Sequence, residues 1–311
     1  INGAFTAPRK DPEMFEVIRQ QVKAQLQNKD KDPAAVFGDS VSFIMNNYHP
    51  LRRPFGMADI ERLNLDRAYE IYRERFGNAG QFQFTFTGSF NLDSIRPLVE
   101  KYIASLPATG VKDHWRDAGF RYPEGPINKV FRKGKENKAS VRLFFTGIRP
   151  SYKESEDRQL GQLCAALTIR LRELLREDAG GVYGVSVGGG VNKEPVSNYS
   201  IGISFGCAPE NVDKLVNIVT EEIRRTKQEG VSQLNADKVI AEQTRSLENS
   251  IKENSYWRYR LEQQFFRNND PLSILTAADR VREFSVSKSR ETANTFFHED
   301  KMIRLVLLPE K

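Results

Sequence analysis

A pattern that occurs twice along the chain limits the possible folds most. Residues 63–88, "LNLDRAYEIYRERFGNAGQFQFTFTG", and residues 284–309, "FSVSKSRETANTFFHEDKMIRLVLLP", both run from a capped helix through an aromatic residue and a short turn into an apolar strand. Residues 90–103 and 207–223 share a second pattern, in which a strand end leads into a helix through an acidic turn. The repetition predicts a duplicated α+β unit (an α/β roll repeat) with a mostly antiparallel sheet and helices packed on one face.

The second copy contains a complete set of predicted strands and helices. Its most informative strand covers residues 198–205, where apolar and small polar residues alternate with a period of two. One face carries the apolar residues Tyr199, Ile201, Ile203 and Phe205, and the other carries Asn198, Ser200, Gly202 and Ser204. The alternation therefore predicts a packed face and a solvent-facing face of small residues.

The first copy is incomplete, because its only convincing strand covers residues 82–88 and one strand cannot form a stable sheet. We divide the chain into a truncated domain over 1–110, a linker rich in Pro, Gly and charge over 111–126, and a complete domain over 127–311. Sequence ahead of Ile1, or a partner chain, is expected to complete the first domain.

Composition and charge exclude several functions. With 39% hydrophobic and 28% charged residues, the chain has the composition of a globular protein, and no apolar run reaches membrane-spanning length.

The net charge of +6 resides entirely in residues 111–150, which hold 10 Lys and Arg against 4 Asp and Glu. A nucleic-acid-binding domain spreads basic residues over a face and interleaves exposed aromatics. This local basic patch instead indicates solvated surface, or attraction for an acidic peptide or another chain. Neither nucleic acid nor a membrane is a predicted partner.

A glycine pair, Gly180 and Gly181, ends a charged helix in the segment 171–190, "LRELLREDAGGVYGVSVGGG". A phosphate-binding loop runs from a strand through glycines to a helix N-terminus, and the order here is reversed. The glycines therefore predict a helix C-cap. The two cysteines, Cys164 and Cys207, cannot form a disulfide framework and are interpreted as buried free thiols.

Arg176 and Tyr183 are the candidate site residues of this segment. The apolar stripe of the helix comprises Leu160, Leu163, Leu167, Leu171 and Leu174. Arg176 lies roughly opposite the centre of that stripe, so its side chain points away from the packed side. It is either a solvated arginine that interacts favourably with the helix dipole or a functional cation. Strand parity places Tyr183 on the face of Val185, and a bulge at Gly184 would be needed to free its ring.

The segment "LREDAGGVYGVSV" resembles the Arg-x6-Tyr signature in the C-terminal half of pitrilysin/insulinase-type zinc metallopeptidases, the inverzincins. Residues 5–16, 49–107 and 205–216 resemble the large bacterial, often periplasmic, members of that family, and the resemblance covers nearly the whole chain. It implies a clamshell of four related α/β domains whose two halves enclose a chamber where peptides are cut. The chain would be the second half of the third domain plus the whole fourth.

The resemblance also implies roles for the candidate residues. In the family, a zinc site with an H-x-x-E-H helix belongs to the first domain, and the matching arginine and tyrosine position the substrate and stabilise the tetrahedral intermediate. Arg176 and Tyr183 would take these roles. The three histidines, His49, His114 and His298, form no such motif, and a catalytic zinc normally needs three protein ligands. We therefore expect no cofactor in this chain, with zinc in the missing N-terminal half or in a partner.

The sequence thus predicts the C-terminal half of a zinc metalloendopeptidase, inactive alone, whose partners are peptide substrates and a complementary zinc-bearing half. The resemblance suggests a periplasmic or cell-envelope location. The alternative is a catalytically silent binding or scaffold subunit of the same fold. An intact H-x-x-E-H motif in the complementary segment would favour the enzyme, and its absence would favour the scaffold.

Overall fold

The computed structural model describes residues 1–179, 182 and 184–310. Their strands are β1 (Ile127–Arg132), β2 (Ala139–Ile148), β3 (Val185–Asn192), β4 (Asn198–Cys207) and β5 (Ile303–Leu308). Their α-helices are α1 (Asn2–Thr6), α2 (Pro12–Lys29), α3 (Pro33–Met45), α4 (Met57–Ile60), α5 (Leu65–Phe76), α6 (Leu92–Val99), α7 (Glu154–Ala179), α8 (Val212–Glu229), α9 (Gln233–Ser250), α10 (Asn254–Phe266), α11 (Ala277–Val281) and α12 (Val286–Phe296). Within this part of the chain no helix combines the length and apolarity that crossing a membrane requires.

The chain divides into two compact units. The helical unit comprises Ile1–Asp30, Phe55–Arg116 and Glu248–Leu275, and the sheet unit comprises Lys31–Pro54, Asp117–Leu247 and Thr276–Lys311. These units do not coincide with the expected boundaries at 110 and 127, because one N-terminal segment belongs to the sheet unit and one C-terminal segment to the helical unit. The compact units do not test whether the chain consists of two repeats of one domain, so the boundaries at 110 and 127 remain a prediction.

The sheet unit is built on one mixed sheet with strand order β1-β5-β2-β4-β3. β1 and β5 are parallel, whereas the β5–β2, β2–β4 and β4–β3 pairs are antiparallel. The prediction of a mostly antiparallel sheet within an α+β fold is confirmed. The long connection between β1 and β5 is consistent with their parallel pairing, since parallel strands need a crossover.

One face of the sheet forms the main core with α7, α8 and α12. The predicted apolar face of β4, from Tyr199 to Phe205, is buried at 0–4% exposure, which confirms the predicted register. The buried stripe of α7 is Leu160, Leu163, Leu167, Leu171 and Leu175. Leu175 therefore takes the place that the sequence analysis gave to Leu174, which is half-buried. The reason is the spacing of four from Leu167 through Leu171, which keeps Leu175 on the same side of the helix.

The opposite face of the sheet is only partly covered. α3 packs there on β5 through a second cluster, whose buried members are Phe37, Val41, Ile44, Met45, Ile303, Leu305 and Leu307. α3 starts at Pro33, and the side chain of Asp32 caps it by accepting the N–H of Ala34. Helices were predicted on one face of the sheet only. The structure has these helices and, in addition, α3 on part of the opposite face. The β4 and β3 portion of this face keeps the predicted small residues.

The helical unit has a small core. Among its described apolar residues, only Ile60, Ala79, Leu106 and Ile274 are buried. The strand predicted over 82–88 is not formed, because no other described segment pairs with it. Its alternation instead produces an aromatic cluster, in which Phe5 contacts Phe76, Phe82 and Phe84 with ring centroids 4.9–5.9 Å apart.

Candidate functional site

Arg176 lies in the last turn of α7 and is exposed. The buried stripe of the helix is on the other side, as predicted, so the guanidinium makes no contribution to the core. The first turn of α7 is acidic and its last turn carries this arginine, and both arrangements are favourable for the helix dipole. No side chain in the described part of the molecule forms an ion pair or a hydrogen bond with Arg176. A guanidinium carries five N–H donors in a planar arrangement.

The neighbouring arginines of α7 show that pairing is selective here. Arg170 lies 3.6 Å from carboxylate oxygens of both Glu173 and Glu222. Burial raises the pKa of Glu222, and the attraction of Arg170 opposes that increase. Arg172, by contrast, is exposed and, like Arg176, has no partner among the residues described. Arg172 and Arg176 are separated by one helical turn, so the exposed side of α7 carries, near its C-terminus, two cations that have no partner among the described residues.

α7 packs against β3 in an antiparallel register. The hydroxyl of Thr168 contacts the backbone of Val187, a carboxylate oxygen of Asp157 accepts the N–H of Val191 at 2.8 Å, and Cys164 lies beside Gly189. Four helical residues advance about 6 Å, which matches the span of two strand residues, about 6.6 Å. If this register continues toward the C-terminus of α7, Arg176 lies beside the residues that immediately precede β3.

The outer edge of β3 is partly occupied by these same side chains. Oγ1 of Thr168 accepts the N–H of Val187 at 3.2 Å and lies 3.3 Å from the carbonyl oxygen of that residue. With Asp157 on Val191, two outward N–H groups of the edge strand already have acceptors. An edge strand with free backbone groups is a template for another strand. Here the helix side chains protect the edge from such pairing at two positions.

Gly184 breaks the regular strand just before β3. Its φ is +155°, a backbone conformation that residues with side chains rarely adopt, and a Cβ atom at this position would meet nothing within 4 Å. The next residue, Val185, begins β3. Tyr183 itself lies outside the described residues, as do Gly180 and Gly181. The predicted role of Tyr183 and the C-cap role of the glycines therefore stay predictions.

The cysteines provide no nucleophile. Both are free and buried, as the sequence analysis proposed. Burial raises the pKa of the Cys164 thiol to about 12. Burial, with a smaller contribution from Glu210, raises the pKa of Cys207 to about 11. The reactive species of cysteine is the thiolate, so both side chains act as small apolar residues in the core.

The described residues do not fit a zinc ion. They contain no group of three or more His, Cys, Asp or Glu side chains placed to hold a metal. Nδ1 of His49 accepts the N–H of Leu51 at 3.3 Å, and its ring lies 4.5 Å from the ring of Phe120. His114 is exposed, and His298 is the residue that precedes a short 3-10 helix. The three histidines thus occupy positions outside any ligand set in this part of the chain.

Two features near the site were missed by sequence reasoning. The first is Thr168, a threonine in the interior of α7 that accepts the N–H of Val187 in β3. Its sequence signal was weak: it is a polar residue one helical turn from Cys164, at the edge of the buried stripe. Arg142 is one of the ten basic residues between 111 and 150, and it projects from the solvent-facing side of β2. Its position in the strand alternation was the signal that distinguished it from the exposed lysines of the same segment.

Three comparisons with known proteins bear on this arrangement. A protein-family model described as "Peptidase M16 inactive domain" matches residues 62–242, more than half of the chain. A curated relative from Arabidopsis thaliana, named a zinc protease PQQL-like, is 26% identical over 259 residues, which is 79% of this chain and 27% of the relative. The chain therefore spans about a quarter of the length of that relative.

Two solved structures show the same fold at low sequence identity. The ferredoxin protease FusC, solved in complex with Arabidopsis ferredoxin, superposes with a TM-score of 0.80 at 15% identity, covering 100% of this chain and 34% of that one. The periplasmic protease PqqL from Escherichia coli gives a TM-score of 0.78 at 18% identity, covering 96% of this chain and 33% of that one. In both cases the chain corresponds to about a third of a larger protein.

Proposed function

Because the chain belongs to the peptidase M16 inactive-domain family, we propose that it is the C-terminal, non-metal half of a zinc metalloendopeptidase that degrades or processes peptides in a clamshell chamber. It would contribute a wall of the chamber and contacts to the substrate. The names of the curated relative and of the two solved proteins support peptidase chemistry for the complete molecule. Since the described residues supply no ligand set, zinc is assigned to the complementary half.

The observation that carries this proposal, beside the family match, is the exposed apolar surface of the helical unit. Its described large apolar residues with 40% exposure or more include Met14, Val17, Ile18, Ile71, Phe86, Phe90, Leu92, Leu98, Tyr102, Phe265 and Phe266. A complementary segment that supplies the missing strands would cover part of this surface, as a truncated domain requires.

Arg176 and Tyr183 would act on a peptide bound between the two halves. Arg176 is exposed in the last turn of α7 and has no partner among the described residues, and Gly184, which has a positive φ, separates Tyr183 from β3 in the sequence. A cation and a phenol at this place could donate hydrogen bonds to the oxygen of the peptide carbonyl as it gains negative charge. Removing one preorganised donor of this kind lowers turnover on the order of 10²–10³-fold.

The complete protein is proposed to reside in the periplasm or cell envelope, by analogy with the solved periplasmic protease from Escherichia coli. The alternative function is a catalytically silent subunit of the same fold that binds peptide without cutting it. The two differ in the complementary half, which holds an intact H-x-x-E-H motif only in the enzyme.

The proposal is tested by comparing the 311-residue chain with the full-length protein that contains it. Each is dialysed against a weak chelator, analysed for metal and assayed with a fluorogenic peptide. We expect the 311-residue chain to hold no stoichiometric zinc and to cleave nothing, and the full-length protein to hold zinc and cleave the peptide. One tightly bound zinc per 311-residue chain would overturn the proposal. A full-length protein that binds peptide without zinc or cleavage would support the silent subunit.

A further inference from the structure

The uncovered part of the sheet unit forms a groove of about 650 Å³ over β2, β4 and β3. This volume is in the range of ligand-binding clefts. Its floor consists of the small residues that alternate with the buried ones, among them Ser186, Gly188, Gly202 and Ser204. Because these side chains are short, an extended peptide can approach the backbone of the sheet closely. The residues of the described chain that line the groove include no Asp or Glu.

Arg142 and Phe144 of β2 line the side of the groove that is nearer to α3. Arg142 is paired across the sheet with Ser204 of β4 and with Leu305 of β5, so it stands where the open floor meets the part that α3 covers. Its guanidinium carbon lies 5.3 Å from the ring centroid of Phe37, which α3 buries against β5. The Phe37 ring therefore supports the planar cation of Arg142, which also lines the groove.

Arg142 differs from the other half-buried arginines of the sheet unit in having no carboxylate partner among the described residues. Arg149 forms two hydrogen bonds with Glu156 at 3.0 and 3.1 Å, and Arg158 bonds to Glu283 at 2.7 Å. No carboxylate in the described part of the chain forms an ion pair with Arg142. A partly desolvated cation without a counter-charge loses solvation that a bound anion would restore. The groove therefore combines the positive charge of Arg142, which no described carboxylate compensates, with a floor of small residues that can accommodate an extended peptide.

We infer that this groove binds an extended peptide segment whose acidic side chain pairs with Arg142, so that the protein prefers substrates with Asp or Glu at one fixed position. The inference rests on the proposed function in that the peptides are those that enter the chamber. The segment lies across the face of the sheet instead of extending it at β3, since Thr168 and Asp157 already occupy that edge. The basic excess of residues 111–150 would attract acidic segments toward it.

The test measures peptide binding, which does not depend on cleavage. Two labelled peptides with blocked ends differ only in one residue, Glu or Gln, and their Kd values for the full-length protein are measured by fluorescence anisotropy. We expect the Glu peptide to bind about tenfold more tightly, the strength of a hydrogen bond to a charged group. Arg142→Gln should remove this preference, and Arg142→Glu should reverse it in favour of the Gln peptide, because two carboxylates repel each other. Arg172→Gln, which removes an exposed arginine outside the groove, should leave it unchanged.

The outcomes separate this inference from the proposed function. A preference for Glu that disappears in Arg142→Gln supports the inference even if the full-length protein cleaves nothing, in which case the peptidase proposal fails alone. A full-length protein that cleaves peptides but binds the Glu and Gln peptides equally overturns the inference alone. The same Glu preference in Arg142→Gln as in the wild type also overturns it, provided that the melting temperatures of the two proteins agree.

Discussion

Replacing Thr168 with Val tests the contact that aligns α7 with β3. The change keeps the β-branched shape and replaces the hydroxyl with a methyl group, so helix propensity is nearly unchanged. It removes Oγ1, the acceptor of the Val187 N–H. The Val187 nitrogen lies 3.2 Å from Oγ1, and Val187 is only 8% exposed. An unsatisfied buried donor costs about 1–3 kcal/mol. For a domain of roughly 150–250 residues, each kcal/mol lowers Tm by about 2–4 °C.

The control for this substitution is Thr168→Ser, which retains the hydroxyl and loses only a methyl group. Thermal unfolding is followed by circular dichroism, and the exchange rate of the Val187 amide is followed by NMR or mass spectrometry. We expect Thr168→Val to melt several degrees below Thr168→Ser and to exchange the Val187 amide faster, because its acceptor is absent. Equal melting temperatures and equal protection in the two variants would show that Thr168 does not hold the edge of β3.

Three other outcomes are expected. A Cβ at Gly189 would lie 2.9 Å from the carbonyl oxygen of Ser200 and 3.2 Å from Sγ of Cys164, so Gly189→Ala should lower the free energy of unfolding by about 1–3 kcal/mol. A Cβ at Gly188 would meet nothing within 4 Å, so Gly188→Ala should not lower it. Equal melting temperatures of the two variants would contradict this. Amides of the helical unit should exchange faster than those of β2 and β4, because few of its side chains are buried; similar protection in a proven monomer would argue against it. Iodoacetamide at pH 8 should label Cys164 and Cys207 only after unfolding, since burial raises the pKa of both thiols; labelling of the native protein would show that they are accessible.

The sequence predicted features that depend on local periodicity. The alternation from Tyr199 to Phe205 identified the buried face of β4, and the helical spacing of α7 identified the exposed side on which Arg176 lies. The end of that stripe was less well defined, because Leu174 and Leu175 are adjacent and both are compatible with a leucine stripe. Packing against the sheet selected Leu175.

Features that depend on contacts distant in the sequence were not predicted. The spacing of Phe37 and Val41 indicates a helix, but it does not show that α3 covers β5, which follows more than 250 residues later in the chain. The pattern of residues 82–88 suits a strand, yet a strand requires a partner, and the described chain provides none. The half-buried position of Arg142 beside an open floor is likewise the result of how far α3 extends over the sheet.

The most direct test of the central claim is kcat/KM for Arg176→Ala in the full-length protein, measured beside a thermal melt. The exposed side chain makes no contact with the core, so the melt should be unchanged, while kcat/KM should fall on the order of 10²–10³-fold. Arg176→Lys should recover little, because an ammonium group lacks the planar arrangement of donors. Tyr183→Phe tests the companion hydroxyl, and Arg172→Ala is the matched control, with expected wild-type kinetics. Wild-type kcat/KM in Arg176→Ala would contradict the account and leave Arg176 as a solvated helix-end arginine.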